Sequence, residues 1–249
     1  MAQLRSYPPG NPDVRSPEWQ QARRVREALS IAIDRQRIVD VLLEGFGRPL
    51  ALRDWAGFEH LLPQDIQWDY DPARAKKLLA EVGYPDGFSI ILTPAILGAT
   101  AELEACGAVA SMWGDIGIKV EFQRMPYSAL RPGLAAQTYQ GGTCHSVPAA
   151  LNPGQRLGLY LRDSNFSFGA EHPFLEELVT KLLATGAPEA RANLEIESAR
   201  WMFDNVFGQI GLCTIEGVWA VGPGVQPWLE HVRLGDLRQM NGMEWARPR

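Results

Sequence analysis

Cys144 and His145 are adjacent, and their side chains are of types that could support nucleophilic or metal chemistry. In an extended segment, neighbouring side chains point to opposite faces, so these two cannot form a Cys–His catalytic dyad with each other. His145 alone could contact a ligand or a chelated metal in a cleft, although a hydrogen-bonded structural histidine is the favoured interpretation. We therefore expect no catalytic residue, and an uncharacterised enzyme that uses this dipeptide is kept as an alternative.

The remaining histidines and the cysteines show no metal-binding pattern. The histidines at 60, 172 and 231 lack an i,i+4 partner and a His-x-Glu or Cys-x-x-Cys companion, so we expect neither a preformed zinc site nor a cofactor. Three cysteines are an odd number, and their wide spacing fits neither a disulfide framework nor a zinc ribbon. We interpret Cys106, Cys144 and Cys213 as small buried hydrophobic residues.

The composition excludes several classes of function. The chain has 249 residues, of which 46% are hydrophobic, so it can build a sizeable core. Its net charge is −5 and it has no basic run, which makes nucleic acid an unsuitable partner. The longest apolar stretch, residues 88–101, is broken by Pro94 and is shorter than the roughly 20 residues of a membrane span. Residues 1–12 lack the apolar core of an export signal, so no signal peptide is expected in this chain.

Residues typical of helix starts divide the first part of the chain into predicted helices and loops. Residues 1–15 are rich in Pro and Gly and read as an extended lead-in. Ser16 before Pro17 predicts a helix start, and Asp34 and Asp71 are placed to cap two further helices. The intervening segment 45–70 is a long ordered loop whose aromatics, Trp55 and Phe58, either line a cleft edge or bury the loop itself.

A strand–helix–strand unit follows. Residues 88–93 and 118–123 favour strands, and residues 100–115 favour a helix between them, which is typical of parallel strands in an α/β fold. Apolar periodicity predicts further helices at 127–137, 173–184 and 188–205, and a long apolar strand or strand pair at 209–221.

Three stretches in this order resemble the family 5 bacterial solute-binding proteins, the ABC-importer class that includes peptide-, oligopeptide- and nickel-binding members. They are Val25–Val39 (VREALSIAIDRQRIV), Tyr70–Phe88 (YDPARAKKLLAEVGYPDGF) and Trp113–Val120 (WGDIGIKV). The resemblance implies an α/β, type II periplasmic-binding-protein lobe with a mixed sheet flanked by helices. Members are about twice this length, so residues 16–208 would be the C-terminal lobe. The N-terminal lobe would be absent, and residues 209–249 would be a return strand and tail that pack on it.

The resemblance also implies a function and a site. Two lobes close on a solute about a hinge, without catalysis, and the closed protein docks on an ABC permease. Such proteins are periplasmic, or extracellular and membrane-anchored. The family contacts ligand through a segment that corresponds here to Gly141–Pro153. The candidate ligand contacts are Gly142, Thr143, Cys144, His145 and Asn152, with Trp55 from the long loop.

The identity of the solute stays open between a peptide-like molecule, a sugar and a metal chelate. No acidic residue lies between Gly141 and Arg162, whereas peptide-binding members use an aspartate there to pair with the α-amino group of the ligand. An ammonium group that is buried without such a partner is costly, which counts against ordinary free peptides. A truncated remnant without independent binding is the other alternative.

Overall fold

Three helices begin at the residues that the sequence predicts as caps. The computed structural model describes residues 11–136, 138–147, 150, 152–161, 171–216, 222–226 and 247–248. Ser16, Asp34 and Asp71 each accept a hydrogen bond from a backbone N–H in the first turn of α1 (Pro17–Ile31), α2 (Arg35–Leu42) and α3 (Pro72–Glu81) respectively. A cap of this kind stabilises a helix by about 1 kcal/mol.

The central sheet confirms the predicted strand–helix–strand unit. Strand β2 (Ser89–Ile96) is followed by α4 (Glu102–Asp115) and β3 (Lys119–Phe122), and β2 and β3 pair in parallel. Strand β4 (Met125–Pro126) continues along the same side of β2, also in parallel. After α5 (Tyr127–Ala135), strand β5 (Gly142–Cys144) pairs with the opposite side of β2, again in parallel. Strand β2 is therefore the central strand of a parallel sheet.

The last two α-helices, α6 (Pro173–Ala184) and α7 (Pro188–Asp204), match their predicted spans. A 3₁₀ helix that was not predicted, Pro153–Tyr160, precedes them. Their apolar faces, with Trp19 of α1, form one buried cluster, which includes Leu175, Leu178 and Met202. A second cluster lies where α1, α3 and α4 cover one face of β2. Helix α1 contributes to both clusters and so links them.

The segment 45–70 is ordered as expected, and it contains short regular elements that the sequence did not reveal. It holds the short strand β1 (Gly47–Pro49) and two 3₁₀ turns at Arg53–Trp55 and Glu59–Leu61. Trp55 was a candidate ligand contact, but only 3% of it is exposed and it packs in the cluster around Trp19. This burial favours the alternative interpretation, in which Trp55 buries the loop itself.

The predicted strand or strand pair at 209–221 is described only as far as residue 216. Within residues 209–216, strand β6 (Cys213–Ile215) forms and pairs antiparallel with β1, while residues 217–221 lie outside the described residues. The sheet neighbour of β6 in the structure is therefore β1, from the long loop. A second antiparallel pair joins β7 (Val225–Gln226) to β8 (Arg247–Pro248). In the described part of the chain, the parallel strand pairs and the antiparallel strand pairs therefore belong to separate sheets.

The structure describes part of the predicted lead-in, residues 1–15, and part of the predicted return strand and tail, residues 209–249. Residues 11–15 form the end of the lead-in and turn into α1, with Ser16 N–H donating to the carbonyl of Asp13. Residues 1–10 and most of the tail, including His231, lie outside the described residues. Among the residues that are described, no helix combines the length and apolar composition that crossing a bilayer requires.

Candidate functional site

The carboxyl ends of β2, β4 and β5 meet at one edge of the parallel sheet. Because the three strands are parallel, the residues that follow them emerge side by side. These residues are 97–99 after β2, Tyr127 after β4, and 145–147 after β5. In open α/β sheets, ligands bind outside the carboxyl ends of the strands. The predicted segment around His145 therefore lies where this architecture favours a binding site.

A glycine allows β5 to reach β2. Gly141 has φ 87°, and a Cβ placed on it would lie 2.4 Å from the carbonyl oxygen of Ile91. A larger residue would both strain the backbone and push the two strands apart. Beyond it, Gly142 and Thr143 are half-buried strand residues, and the Tyr139 hydroxyl donates to the carbonyl of Gly142. The two candidate contacts Gly142 and Thr143 therefore shape the edge of the sheet through their backbones, which pair with β2.

Cys144 forms a disulfide with Cys106 of α4, which corrects the interpretation of both cysteines as free hydrophobic residues. Their Cα atoms are 5.9 Å apart although 38 positions separate them in sequence. The crossover from β2 through α4 folds the helix back over the sheet and brings the two together. In the chain-entropy description, closing a loop of this length stabilises the fold by about 4 kcal/mol. A disulfide sulfur is not a thiolate nucleophile, so the alternative of an enzyme using Cys144 loses its reactive group.

Cys213 stays a free thiol in β6 and is half-buried. Burial raises the pKa of this thiol to about 11, although the nearby Arg35 opposes the shift. The thiol is therefore protonated at neutral pH and unreactive.

His145 presents one ring nitrogen to its own chain. Its Nδ1 lies 2.9 Å from the carbonyl oxygen of Ser146. A carbonyl can only accept, so Nδ1 must carry the hydrogen, and in the neutral ring Nε2 is left as an acceptor. The ring also lies against Tyr127, with 5.6 Å between the centroids. His145 is thus held as a structural histidine and still carries an acceptor at the carboxyl edge of the sheet.

Glu102, at the start of α4, is a site residue that the sequence did not reveal. It is 5% exposed. Its Oε2 accepts from the backbone N–H groups of Leu97, Gly98 and Ala99, and its Oε1 accepts from that of Ser146. Burial acts to raise the pKa of this carboxyl group, but the amide donors led by that of Ser146 outweigh burial and lower the pKa. Only its place in the first turn of a predicted helix could have drawn attention to it.

Asn152 has a local structural role. Its Oδ1 accepts from the N–H of Gln155 at 2.9 Å and caps the 3₁₀ helix that begins at Pro153. The Asn-Pro pair is therefore a helix start, and the Asn152 amide NH2 is the part that remains to meet a ligand. Residues 148, 149 and 151, in the same predicted segment, lie outside the described residues.

A groove also lies between β2 and α5. Its volume is about 360 Å³, and Ile91, Met125, Leu130 and Tyr139 contribute to its walls. It does not include His145 or any other predicted contact. In the described part of the chain, no three His, Cys, Asp or Glu side chains are grouped so that they could hold a metal ion.

Known proteins match the chain both in sequence and in fold. The family described as "Bacterial extracellular solute-binding proteins, family 5 Middle" matches residues 11–168. Glutathione-binding protein GsiB of Salmonella choleraesuis is 36% identical over 109 residues, which are 41% of this chain and 20% of that protein. Heme-binding protein A of Haemophilus influenzae is 33% identical over 103 residues, which are 39% of this chain and 18% of that protein. The matched part is thus about a fifth of the length of these curated relatives.

The periplasmic oligopeptide-binding protein of an oligopeptide ABC transporter from Thermotoga maritima shares the fold. It superposes with a TM-score of 0.71 at 17% identity, over 91% of this chain and 50% of that chain. A likeness at this identity concerns the fold alone, and it confirms the predicted type II periplasmic-binding lobe. Since the family match takes in more than half of the sequence, the chain belongs to the bacterial extracellular solute-binding proteins of family 5.

Proposed function

We propose that this chain is the C-terminal lobe of the substrate-binding component of an ABC importer. A second, N-terminal lobe would close over the solute about a hinge, and the closed form would dock on the permease in the periplasm or at the cell surface. The observation that carries this proposal is the arrangement of β2, β4 and β5, whose parallel ends bring residues 97–99, Tyr127 and His145 to one edge. Binding, without bond making or breaking, is the activity.

The charges at this edge restrict the solute. Between Gly141 and Arg162 the sequence has no carboxylate, and the carboxylate of Glu102 is already occupied by four backbone N–H groups. This lobe therefore offers no free carboxylate from these residues to an α-ammonium group, whose burial without a partner is costly. We propose a solute that meets this wall through hydrogen-bond donors and apolar surface, with His145 Nε2 as an acceptor.

Calorimetric titration with three solutes tests the proposal. Reduced glutathione, hemin and the dipeptide Met-Leu represent ligands named for relatives and neighbours of this chain. Glutathione and Met-Leu each carry an α-ammonium group, whereas hemin has none, so we expect hemin to bind better than either peptide. His145→Ala should weaken the best-bound solute about fivefold to tenfold, which corresponds to one lost hydrogen bond. His60→Ala is the matched control because His60 is exposed in the 3₁₀ turn Glu59–Leu61.

Two results would contradict this assignment. Equal losses of affinity in His145→Ala and His60→Ala would show that His145 does not contact the solute. Preferential binding of Met-Leu or glutathione over hemin would show that the missing carboxylate does not determine the solute class.

A further inference from the structure

Three consecutive residues, of which the first ends β5, are each held by a different group. Cys144 is bonded covalently to Cys106 in α4. The ring of His145 lies against Tyr127 at the start of α5. The backbone N–H of Ser146 donates to Glu102 at the start of α4. The segment that carries the candidate solute contact is thus fixed to two helices through its own disulfide, ring contact and hydrogen bond.

Glu102 joins two loops through its two oxygens. Oε2 holds the turn that leaves β2, with N···O distances of 2.8 Å to Leu97 and 2.9 Å to Gly98. Oε1 reaches across to Ser146 in the segment that leaves β5. A backbone amide bonded to a carboxylate forms a strong, charge-assisted hydrogen bond, and burial of the carboxylate keeps water from competing for it. The carboxylate therefore fixes the distance between the ends of the two strands.

We propose that Glu102 is a positioning residue for solute capture, which holds residues 144–146 in their binding conformation before the solute arrives. The inference rests on the proposed function, because it assigns this role to the segment through which the lobe would contact its solute. A segment that is already ordered loses little conformational freedom on binding, and such preorganisation strengthens affinity without any added contact. The disulfide restrains one end of the segment, and Glu102 restrains the backbone two residues further on.

Amide hydrogen exchange on the full chain, without solute, tests the positioning role directly. In Glu102→Gln the charge that strengthens the bonds is lost, so the Ser146 amide should exchange at least tenfold faster than in the wild type. The amides of β2 and β3 should be unchanged. Glu104→Gln is the matched control because it removes an exposed carboxylate from the same turn of α4, and it should leave Ser146 exchange unaltered.

Glu102→Asp separates positioning from a general effect of charge. Aspartate keeps the negative charge at the start of the helix but is one methylene shorter, so it cannot bridge both loops. We expect fast exchange at Ser146 and retained protection at either Leu97 or Gly98. If Ser146 exchange in Glu102→Gln and Glu102→Asp equals that of the wild type, or rises only together with exchange throughout the chain, the positioning role is overturned.

The double variant Cys106→Ala/Cys144→Ala tests which restraint holds Ser146. If it alone accelerates Ser146 exchange and Glu102→Gln does not, the disulfide is the determinant and the inference about Glu102 fails. Titration with reduced glutathione and hemin then reports on function separately. Glu102→Gln should weaken the better ligand at least threefold, and unchanged affinity would overturn the link to capture. A wild-type chain that binds neither solute would contradict the proposed function, while the exchange result would still decide the role of Glu102 in holding the segment.

Discussion

At the residue scale, His172 uses both of its ring nitrogens as a neutral imidazole. Nδ1 accepts from the N–H of Phe174 in the first turn of α6, and Nε2 donates to the carbonyl of Pro12 in the lead-in. The ring is 6% exposed and packs against Trp19 and Trp201. Protonation would place a hydrogen on Nδ1, opposite the N–H of Phe174, and would abolish the cap. The histidine therefore joins α6 to the lead-in only in its neutral form.

The pH dependence of folding should report this arrangement. Burial lowers the pKa of His172 and exceeds the opposing effects of the Pro12 carbonyl and Glu176. An unfolded histidine has a pKa of about 6.5, so below that pH the unfolded chain binds a proton that the folded chain resists. The stabilisation is thus complete above pH 6.5 and is lost as the pH falls through the lowered folded pKa. We expect the free energy of unfolding in urea to decrease from pH 7 to pH 5.

His172→Asn should flatten this dependence, since asparagine also caps helices but does not titrate. His60→Asn removes an exposed histidine and should leave the wild-type slope in place. Equal slopes in the wild type and His172→Asn would show that His172 does not control stability in this pH range.

The residue-scale predictions from sequence succeeded where the interaction is local. Ser16, Asp34 and Asp71 cap helices as expected, because a cap depends on a few neighbouring positions. The Cys106–Cys144 bond and the contact of Glu102 with Ser146 were missed. Both join positions about forty residues apart, and their proximity exists only once β5 has paired with β2.

At the element scale, two buried arginines attach the chain after α7 to the first two helices. Arg26 of α1 donates to the carbonyls of Asn205 and Val206, and Arg35 of α2 donates to that of Gly211. Burial lowers the pKa of each guanidinium group to about 10, so both remain charged at neutral pH. Val25–Val39, the first stretch that resembles the family, thus includes the two arginines that hold the segment between α7 and β6.

Arg35→Lys should destabilise the protein by about 2 kcal/mol, because an ammonium group cannot reproduce the planar donors that bond Gly211 and Ser30 together. Arg37→Lys, on the exposed side of α2, should change stability by less than about 0.5 kcal/mol. Urea denaturation measures both values. A loss in Arg35→Lys no larger than that in Arg37→Lys would show that the arginine fork is dispensable.

Helices with strong apolar periodicity and the strands β2 and β3 were predicted well, and the shortest strands were not. The spans of α4, α6 and α7 agree with their apolar patterns to within a few residues. Strand β1 went unrecognised in the long loop, and within the described residues 209–216 only Cys213–Ile215 forms a strand. Short strands depend on a partner supplied by a distant part of the chain, so local sequence carries little information about them.

At the scale of the whole molecule, the proposed function makes the described chain one wall of a binding site. Its family match and its fold are those of solute-binding proteins, and it superposes on half of the Thermotoga maritima protein. Sites of this kind enclose roughly 70–90% of a small ligand, and a single lobe supplies about half of that enclosure. The rest of the binding surface would have to come from the proposed second lobe.

We therefore expect weak binding by this chain alone. The dissociation constant for the best of the three test solutes should be roughly micromolar or weaker, because much of the solute stays in water. Isothermal titration calorimetry on the isolated chain measures it. Submicromolar binding would show that this lobe is self-sufficient and would remove the need for a second one. The variant His60→Ala, which removes an exposed histidine, should give the same dissociation constant as the wild type.

The attachment of residues 144, 145 and 146 to separate groups has an evolutionary consequence. An insertion or deletion between them would shift at least one side chain or amide away from its partner in α4 or α5. Lineages that keep both the disulfide and Glu102 should therefore diversify their solutes by substitution at fixed length. Length changes in this stretch should accumulate where those two restraints have been lost.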